Sequence, residues 1–324
     1  MKRAKALLLV SSLGIAASGL AWGGDFAYTT DARGFIDHST VVDARAQSAC
    51  LKRTVAGARC LPAADFLGPH GRLAAFPDVY WLLGTAGIAA RDAVLVVGDD
   101  PIERDFVAGM LYLSGQSRVM VLNQPISGGA GLPASRLGPG AARGMLRQPI
   151  YEGTAREGAM LLRSELAAEI QRAHAPVLLD GRPAAAYWGE TVRALRGGHL
   201  PGAQSLPMTD LRAEIGKGQA HLPPGPFVVY GHDPFESVAY FTLARAGAGA
   251  DARVLLDGWA AWANNPGLPV DAETYRDGMK AMTALETRHV PRSGAIPAKG
   301  IGAAALGLLI LMTGSWYLGR LSKK

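Results

Sequence analysis

The stretch FVVYGHDPFES, residues 227–237, carries the side chains that most readily suggest chemistry. Its apolar start predicts a buried strand over Phe227–Tyr230, followed by a short loop and a helix from about Phe235. Backbone N–H groups at the start of a helix have no partner within the helix, so such a corner can hold an anion or activate a nucleophile. The candidate binding residues of this corner are Gly231, His232, Asp233, Pro234, Phe235, Glu236 and Ser237.

Three interpretations of these side chains are open. A hydrolytic pair of Ser237 and His232 would need a strained turn around the serine, and nothing upstream predicts one. His232, Asp233 and Glu236 could together hold a metal ion, but three ligand types in one loop are a weak signal. A solvated polar loop is the simplest interpretation, so we expect neither a metal nor a cofactor at this corner.

The two ends of the chain predict export and membrane anchoring. Residues 1–23 begin with positive charges, continue with an apolar run and end in small residues, as a secretory signal does. Residues 301–319 carry no charge and are long enough to cross a bilayer, and a basic tail follows at 320–324. The positive-inside rule keeps this tail in the cytoplasm. We therefore expect a single-pass protein of the inner (cytoplasmic) membrane with its domains on the periplasmic side.

The charge of the chain argues against a nucleic-acid partner. The formal net charge is +6, of which three charges come from the first five residues and three from the last five. The chain between them is therefore neutral overall and offers no electrostatic attraction to a phosphate backbone.

The chain has two cysteines, Cys50 and Cys60. Because an exported chain meets an oxidising compartment, a disulfide between them is the first interpretation. The alternative is a pair of free thiols that receives or passes on sulfur or electrons.

The elements that would position these residues occur twice along the chain. VVDAR at 41–45 returns as LLDGR at 178–182, and VLVVGDD at 94–100 returns as FVVYGHD at 227–233. AGARCLP at 56–62 likewise returns as PGAQSLP at 201–207. The offsets from Asp43 to Asp180, from Gly98 to Gly231 and from Asn123 to Asp257 are 137, 133 and 134 residues, and so constant an offset predicts two copies of one domain. Short apolar runs that alternate with helix-like stretches predict an α/β fold, in which each copy has a parallel sheet flanked by helices.

These residues resemble the rhodanese family, in particular the tandem-domain thiosulfate and 3-mercaptopyruvate sulfurtransferases. The second copy carries the clearest match: VLLDGRPAAAYWGE, RGGHLPGAQSLP and VLLDGWAAWANNPGLPV follow in the family's order over residues 175–270. The first copy matches more loosely, over about residues 35–126. The resemblance implies that Asp43, Arg45, Asp180 and Arg182 are scaffold residues, that His199 holds a turn, and that Trp259 and Trp262 lie in the core.

In members of this family a cysteine at the corner carries sulfur as a persulfide. The matching position is Gly231 in the second copy and Gly98 in the first, so no thiol stands at either corner. Asp233 and Glu236 also place negative charge where an anionic sulfur donor would bind. Arg196 matches a region where members use basic residues for substrate, although a surface role is the simpler interpretation.

The resemblance therefore predicts a non-catalytic binding or accessory module that docks an envelope protein partner, with a small sulfur-containing molecule as a further ligand class. An active sulfurtransferase that uses Cys50, Cys60 or a partner's thiol is the alternative. The expected organisation is a signal peptide (1–23), a degenerate first rhodanese-like domain (24–127), a linker (128–165), a second rhodanese-like domain (166–273), a stalk (274–300), a transmembrane helix (301–319) and a cytoplasmic tail (320–324).

Overall fold

A computed structural model describes residues 24–145, 150–172, 175–223 and 225–272. The expected signal peptide, stalk, transmembrane helix and cytoplasmic tail lie outside these residues. Within the described part of the chain, no helix is both long and apolar enough to cross a membrane.

The first half of the chain, residues 24–145, is called lobe 1 below. Its strands are β1 (Phe26–Thr29), β2 (Thr40–Asp43), β3 (Thr54–Val55), β4 (Arg59–Cys60), β5 (Ala93–Gly98), β6 (Arg118–Pro125) and β7 (Leu137–Gly138). Its helices are α1 (Arg33–Ile36), α2 (Gln47–Lys52), α3 (Phe76–Thr85) and α4 (Pro101–Leu113).

The second half, residues 157–272, is called lobe 2. Its strands are β8 (Met160–Leu161), β9 (Val177–Asp180), β10 (Gln204–Ser205), β11 (Phe227–Tyr230) and β12 (Ala252–Leu255). Its helices are α5 (Arg163–Ile170), α6 (Ala184–Tyr187), α7 (Met208–Gly216), α8 (Pro234–Thr242) and α9 (Gly258–Ala263), and a wider helical turn, Leu243–Gly247, continues α8.

The two lobes have sheets of the same design. The strand order is β1-β6-β5-β2-β4 in lobe 1 and, from the opposite edge, β10-β9-β11-β12-β8 in lobe 2, with every neighbouring pair parallel. The central strands β5 and β11 are runs of buried apolar residues, as expected for strands covered on both faces. The predicted α/β fold with parallel sheets flanked by helices is confirmed.

The segment expected to be a linker, residues 128–165, contributes strands on both sides. β7 pairs antiparallel with β3 of lobe 1, and β8 adds an edge strand to the sheet of lobe 2. Each of these strands has two residues, which is too short for an apolar pattern to emerge from a sequence rich in Gly and Pro.

Helices α4 and α8 cross where the two lobes meet, within one compact unit that ends at Ala272. Gly109 of α4 lies so close to α8 that a Cβ there would be 2.5 Å from Thr242 Oγ1 and 2.6 Å from Val238 Cγ1. Thr242 follows Gly109 by 133 positions, and Gly231 follows Gly98 by the same number. Equivalent positions of the two copies therefore meet at this crossing, as they would around a twofold axis.

A buried carboxylate also joins the lobes. Asp105 of α4 is fully buried, and its Oδ2 accepts hydrogen bonds from Tyr28 of lobe 1 and from Arg212 of lobe 2, each 2.6 Å long. Arg104 pairs with the other oxygen at 3.4 Å. Burial, and then the charge of Asp105, raise the pKa of Tyr28 well above its ordinary value. The hydroxyl of Tyr28 thus stays protonated and can donate to Asp105.

Candidate functional site

The candidate site is the loop between β11 and α8. β11 lies between β9 and β12 in the sheet of lobe 2, and its carboxyl end leads into Gly231. α8 then begins at Pro234, a favoured first helical residue, and Asp233 caps it by accepting the N–H of Glu236 at 2.9 Å. The strand, short loop and helix therefore occur where the sequence predicts them.

Three backbone N–H groups of this corner, those of Gly231, His232 and Glu236, already donate to side chains of the chain itself. The N–H of Gly231 donates to Ser237 Oγ at 3.0 Å, and the N–H of His232 donates to Glu236 Oε2 at 2.9 Å. The other carboxylate oxygen of Glu236 pairs with Arg193 at 2.9 Å. The loop thus binds a carboxylate of its own chain, and an anion held by the N–H of His232 would have to displace it.

The corner also has no room for a side chain at residue 231. A Cβ at Gly231 would lie 2.5 Å from Glu236 Cβ, 2.6 Å from the Glu236 carbonyl carbon and 2.8 Å from the backbone nitrogen of Ser237. Carbon atoms in van der Waals contact are about 3.5–4.0 Å apart, so any larger residue requires the start of α8 to move. The loop is therefore closed around a glycine.

The equivalent corner of lobe 1 is more open at its glycine. A Cβ at Gly98 would lie 3.2 Å from Arg104 Cβ and 3.7 Å from Ala44 Cβ. The acids of this corner are occupied: Asp100 caps α4, and Asp99 accepts from the N–H of Ser127 at 2.8 Å and from Arg45 at 3.2 Å. Burial opposes the ionisation of Asp99, but these two contacts lower its pKa below the ordinary value. The carboxylate of Asp99 thus stays ionised and paired.

His232 and Ser237 do not form a hydrolytic pair. Ser237 is fully buried in α8 and its hydroxyl accepts the Gly231 N–H, which leaves it holding the loop. Burial, followed by the charge of Arg193, lowers the pKa of His232, so its ring is neutral at pH 7. Among the described residues, no three His, Cys, Asp or Glu side chains come together as metal ligands would. The metal hypothesis for His232, Asp233 and Glu236 therefore finds no support in the geometry.

Phe235, one of the candidate binding residues, is partly buried. Its ring lies 4.9 Å from the ring of Phe106 in α4, and it packs against the core shared by the two lobes. The contact brings together residues 129 positions apart, which a local sequence pattern does not reveal.

Arg196 is partly exposed and is held by backbone carbonyls of its own lobe. Its guanidinium donates to four backbone carbonyls at the end of α9 and just beyond, those of Trp262, Ala263, Asn265 and Leu268, at 2.5–3.3 Å. Four of the five guanidinium N–H groups therefore already have acceptors. Arg196 links the end of α9 to the turn before His199, and little of its hydrogen-bonding capacity is left for a substrate.

The scaffold residues lie as expected. Asp43 pairs with Arg45 at 2.7 Å and Asp180 with Arg182 at 2.6 Å, in equivalent positions of the two lobes. His199 Nδ1 lies 3.0 Å from the carbonyl of Tyr187, and the two rings stack 3.7 Å apart, centroid to centroid. Trp259 and Trp262 are buried. Each ion pair lies at the carboxyl end of a strand next to the central one, β2 in lobe 1 and β9 in lobe 2.

Cys50 and Cys60 are joined in a disulfide with a Cα–Cα distance of 5.7 Å. Both are buried, and Gly140 packs so closely over them that a Cβ there would lie 2.5 Å from Cys50 Sγ. Since the chain has no other cysteine, a free thiol requires reduction of this covered bond.

Sequence reasoning missed an exposed segment of lobe 2 that contacts the corner through Arg193. Arg193 lies 43 positions before its partner Glu236, so no local pattern indicates their contact. Three apolar side chains of the same segment are exposed: Trp188 by 39%, Val192 by 46% and Leu195 by 77%. Apolar residues of this kind are usually assigned to a core, and sequence alone gives no signal that they face water.

A protein-family model and a curated protein each match part of the chain. The family model for the rhodanese-like domain matches residues 162–265. A curated protein of Synechococcus elongatus, described as "Putative thiosulfate sulfurtransferase", is 30% identical over 164 residues. That stretch covers 47% of this chain and 47% of the relative, so the match spans about half the length of each protein.

Solved structures share the fold at low sequence identity. A probable thiosulfate sulfurtransferase is 24% identical with a TM-score of 0.52, covering 72% of this chain and 97% of that one. YnjE is 18% identical with a TM-score of 0.58 and a coverage of 76% and 62%. Wild-type EanB is 17% identical with a TM-score of 0.59 and a coverage of 72% and 64%. Residues 162–265 thus match the rhodanese-like domain family, and the solved structures share the fold of the described chain.

Proposed function

We propose that this chain is a membrane-anchored periplasmic protein whose rhodanese-like lobes bind a protein partner instead of transferring sulfur. The observation that carries the proposal is the closed corner: the space for a Cβ at Gly231 is filled by α8, and Glu236 occupies the N–H of His232. Sulfur transfer through a persulfide needs a thiolate stabilised by such N–H groups. In this chain residue 231 is a glycine, so no thiolate can form there, and the N–H of His232 already donates to Glu236.

The sequence supports the membrane and periplasmic part of the proposal. Residues 1–23 have the pattern of a secretory signal, and the uncharged residues 301–319 precede a basic tail. A buried disulfide agrees with an oxidising compartment.

The surface next to the corner supports a docking role. Trp188, Val192 and Leu195 expose apolar area on one segment, and the Arg193–Glu236 ion pair ties this segment to α8. Exposed apolar area of this kind is typical of protein interaction sites. We expect an envelope protein to cover it. A small sulfur-containing ligand is a weaker candidate because it would have to displace Glu236.

An active sulfurtransferase is the second candidate, because the matched relative from Synechococcus elongatus is described as a thiosulfate sulfurtransferase. This activity would need Cys50 or Cys60 released by reduction, or a thiol supplied by a partner. A partner's thiol would still meet a corner in which the N–H groups of Gly231 and His232 already have acceptors.

The test is a sulfur-transfer assay on the full chain in detergent. Thiosulfate and 3-mercaptopyruvate are offered as donors, with cyanide and a small thiol as acceptors, both with and without reductant. We expect no turnover above that of the heat-unfolded protein. Turnover that disappears in Cys50→Ser or Cys60→Ser would replace the docking proposal with an enzyme whose nucleophile lies in lobe 1.

The docking surface is tested by a photo-activated crosslinking residue at position 195 of the full chain in cells. Position 81 is the control, because Trp81 is also exposed, by 49%, but belongs to lobe 1. A single protein product formed from position 195 and absent from position 81 is the expected result. Equal products from both positions would contradict a specific surface.

A further inference from the structure

A cavity of about 230 Å³ lies on lobe 1, formed entirely by residues of that lobe. Its walls come from the end of α2, the strand β3, the segment after β6 and the start of β7. The lining residues are Arg45, Ala49, Lys52, Arg53, Thr54, Ile126, Ser127 and Leu137. A water molecule takes up about 30 Å³ in the liquid, so the cavity has room for a small solute but not for a nucleotide or a peptide.

The lining is positively charged. It contains three basic residues and no acidic one. The charge of Arg45 is compensated by Asp43 and Asp99, at 2.7 Å and 3.2 Å. Lys52 and Arg53 are exposed, and neither takes part in an ion pair within the described part of the chain. Two uncompensated cations at the edge of a small cavity favour an anionic occupant.

A buried hydroxyl in the wall lacks a partner. Thr54 is 1% exposed, and its Oγ1 makes no hydrogen bond with any described residue. Leaving a buried hydroxyl unpaired costs free energy, so such groups in folded proteins usually have a partner. An oxygen atom of a bound anion could accept this hydrogen bond once the wall adjusts around it.

The wall is held in place covalently. Cys50 and Cys60 close a loop that contains Lys52, Arg53 and Thr54, and β3 within that loop pairs with β7, which supplies Leu137. The cations and the hydroxyl therefore belong to a restrained loop, so less conformational freedom is lost when a ligand binds.

We propose that this cavity of lobe 1 binds a small inorganic oxyanion, which Lys52 and Arg53 attract and Thr54 Oγ1 contacts by a hydrogen bond. The site is separate from the corner after β11, and it does not depend on whether that corner transfers sulfur.

Binding is measured by titration calorimetry on the full chain in detergent, in a chloride buffer of constant ionic strength. Sulfate, thiosulfate and phosphate are titrated in turn, because all three are small oxyanions. We expect saturable binding with one ion per chain for at least one of them. Heat that rises without saturation for all three ions would overturn the proposal.

Three variants locate the site. Lys52→Gln with Arg53→Gln should weaken binding by about tenfold or more, since hydrogen bonds to charged groups contribute about that factor each. Arg72→Gln with Arg91→Gln removes the same charge from exposed positions of lobe 1 and should leave affinity within about twofold of wild type, as expected for distant surface charges. An equal loss in both double variants would mean general attraction to lobe 1 and would contradict the cavity.

Thr54→Val distinguishes a bound ligand from a general charge effect. It removes the hydroxyl and keeps the shape and charge of the wall, so binding should weaken by about threefold to tenfold. The same variant should not lower the thermal midpoint of the free protein, because the lost hydroxyl has no partner there. Unchanged affinity in Thr54→Val would remove Thr54 from the site and overturn the proposed contact.

Discussion

Residue 231 is a glycine because of the space around it. It is not among the residues with a positive φ, so its backbone conformation is open to other amino acids. What excludes a side chain is the first turn of α8, which fills the place of a Cβ. A cysteine at residue 231 would therefore require the start of α8 to move.

Gly231→Ala is expected to destabilise the protein by about 1–3 kcal/mol, the usual cost of overpacking a tight site. Gly98→Ala, the matched change in lobe 1, should cost clearly less, because the nearest atom is Arg104 Cβ at 3.2 Å. Urea unfolding of both variants gives the comparison. A loss at residue 231 no larger than at residue 98 would contradict the closed corner.

His232 should make stability depend on pH. Burial holds its folded-state pKa below the ordinary value of 6.5, so between these two values the unfolded chain binds more protons than the folded one. Stability must then fall as the pH decreases through 6.5 toward the lower pKa. His232→Gln removes this contribution, and urea unfolding at several pH values should show a shallower fall in the variant. The same slope in both proteins would contradict a buried neutral histidine.

At the residue level, local pairs were predictable and distant ones were not. The pairs Asp43–Arg45 and Asp180–Arg182 link residues two positions apart at the end of a strand, and the sequence indicates them. Arg196 and Phe235 acquire their contacts only when remote segments pack together. No pattern within a few residues carries that information.

At the level of elements, the crossing of α4 and α8 rests on one small residue. Because Gly109 has no side chain, the backbone of α4 can lie against side chains of α8. The hydroxyl of Thr242 in α8 accordingly donates a hydrogen bond of 2.8 Å to the carbonyl of Asp105 in α4. Strands with several apolar residues, such as β5 and β11, were predictable. β7 and β8 were not, since pairing with remote strands defines them.

Gly109→Ala is expected to destabilise the protein by about 1–3 kcal/mol through its clash with Thr242 and Val238. Gly216→Ala, another glycine within a helix, has open space around it and should stabilise by about 0.5–1 kcal/mol, because alanine favours helix. Thermal unfolding of the two variants should give shifts of opposite sign. Shifts of the same sign would contradict a tight crossing.

For the whole molecule, Asp105 links parts that lie far apart in the sequence. Its carboxylate accepts hydrogen bonds from Tyr28 of β1 and from Arg212 of α7, so the two lobes share one buried carboxylate. Removing one partner of a buried ion pair leaves the remaining charges without compensation. A substitution at residue 105 should therefore lower the local stability of both lobes.

Asp105→Asn is expected to cost about 3–5 kcal/mol, the usual loss on breaking a buried ion pair. Asp251→Asn breaks an exposed pair with Arg245 and should cost about 1 kcal/mol or less. Hydrogen exchange followed by mass spectrometry should show lost protection in both β1 and α7 of the first variant. A change confined to α4 would mean that Asp105 does not couple the lobes.

The meeting of Gly109 and Thr242 has a consequence for the ancestry of the chain. Two identical subunits around a twofold axis must place the same residue on both sides of it. A glycine on both sides would leave a gap, whereas two threonines would collide. Once one gene encodes both copies, each side can mutate alone, and a small residue can face a larger one. A single chain that carries both copies can therefore form an asymmetric contact that two identical subunits could not form on their axis.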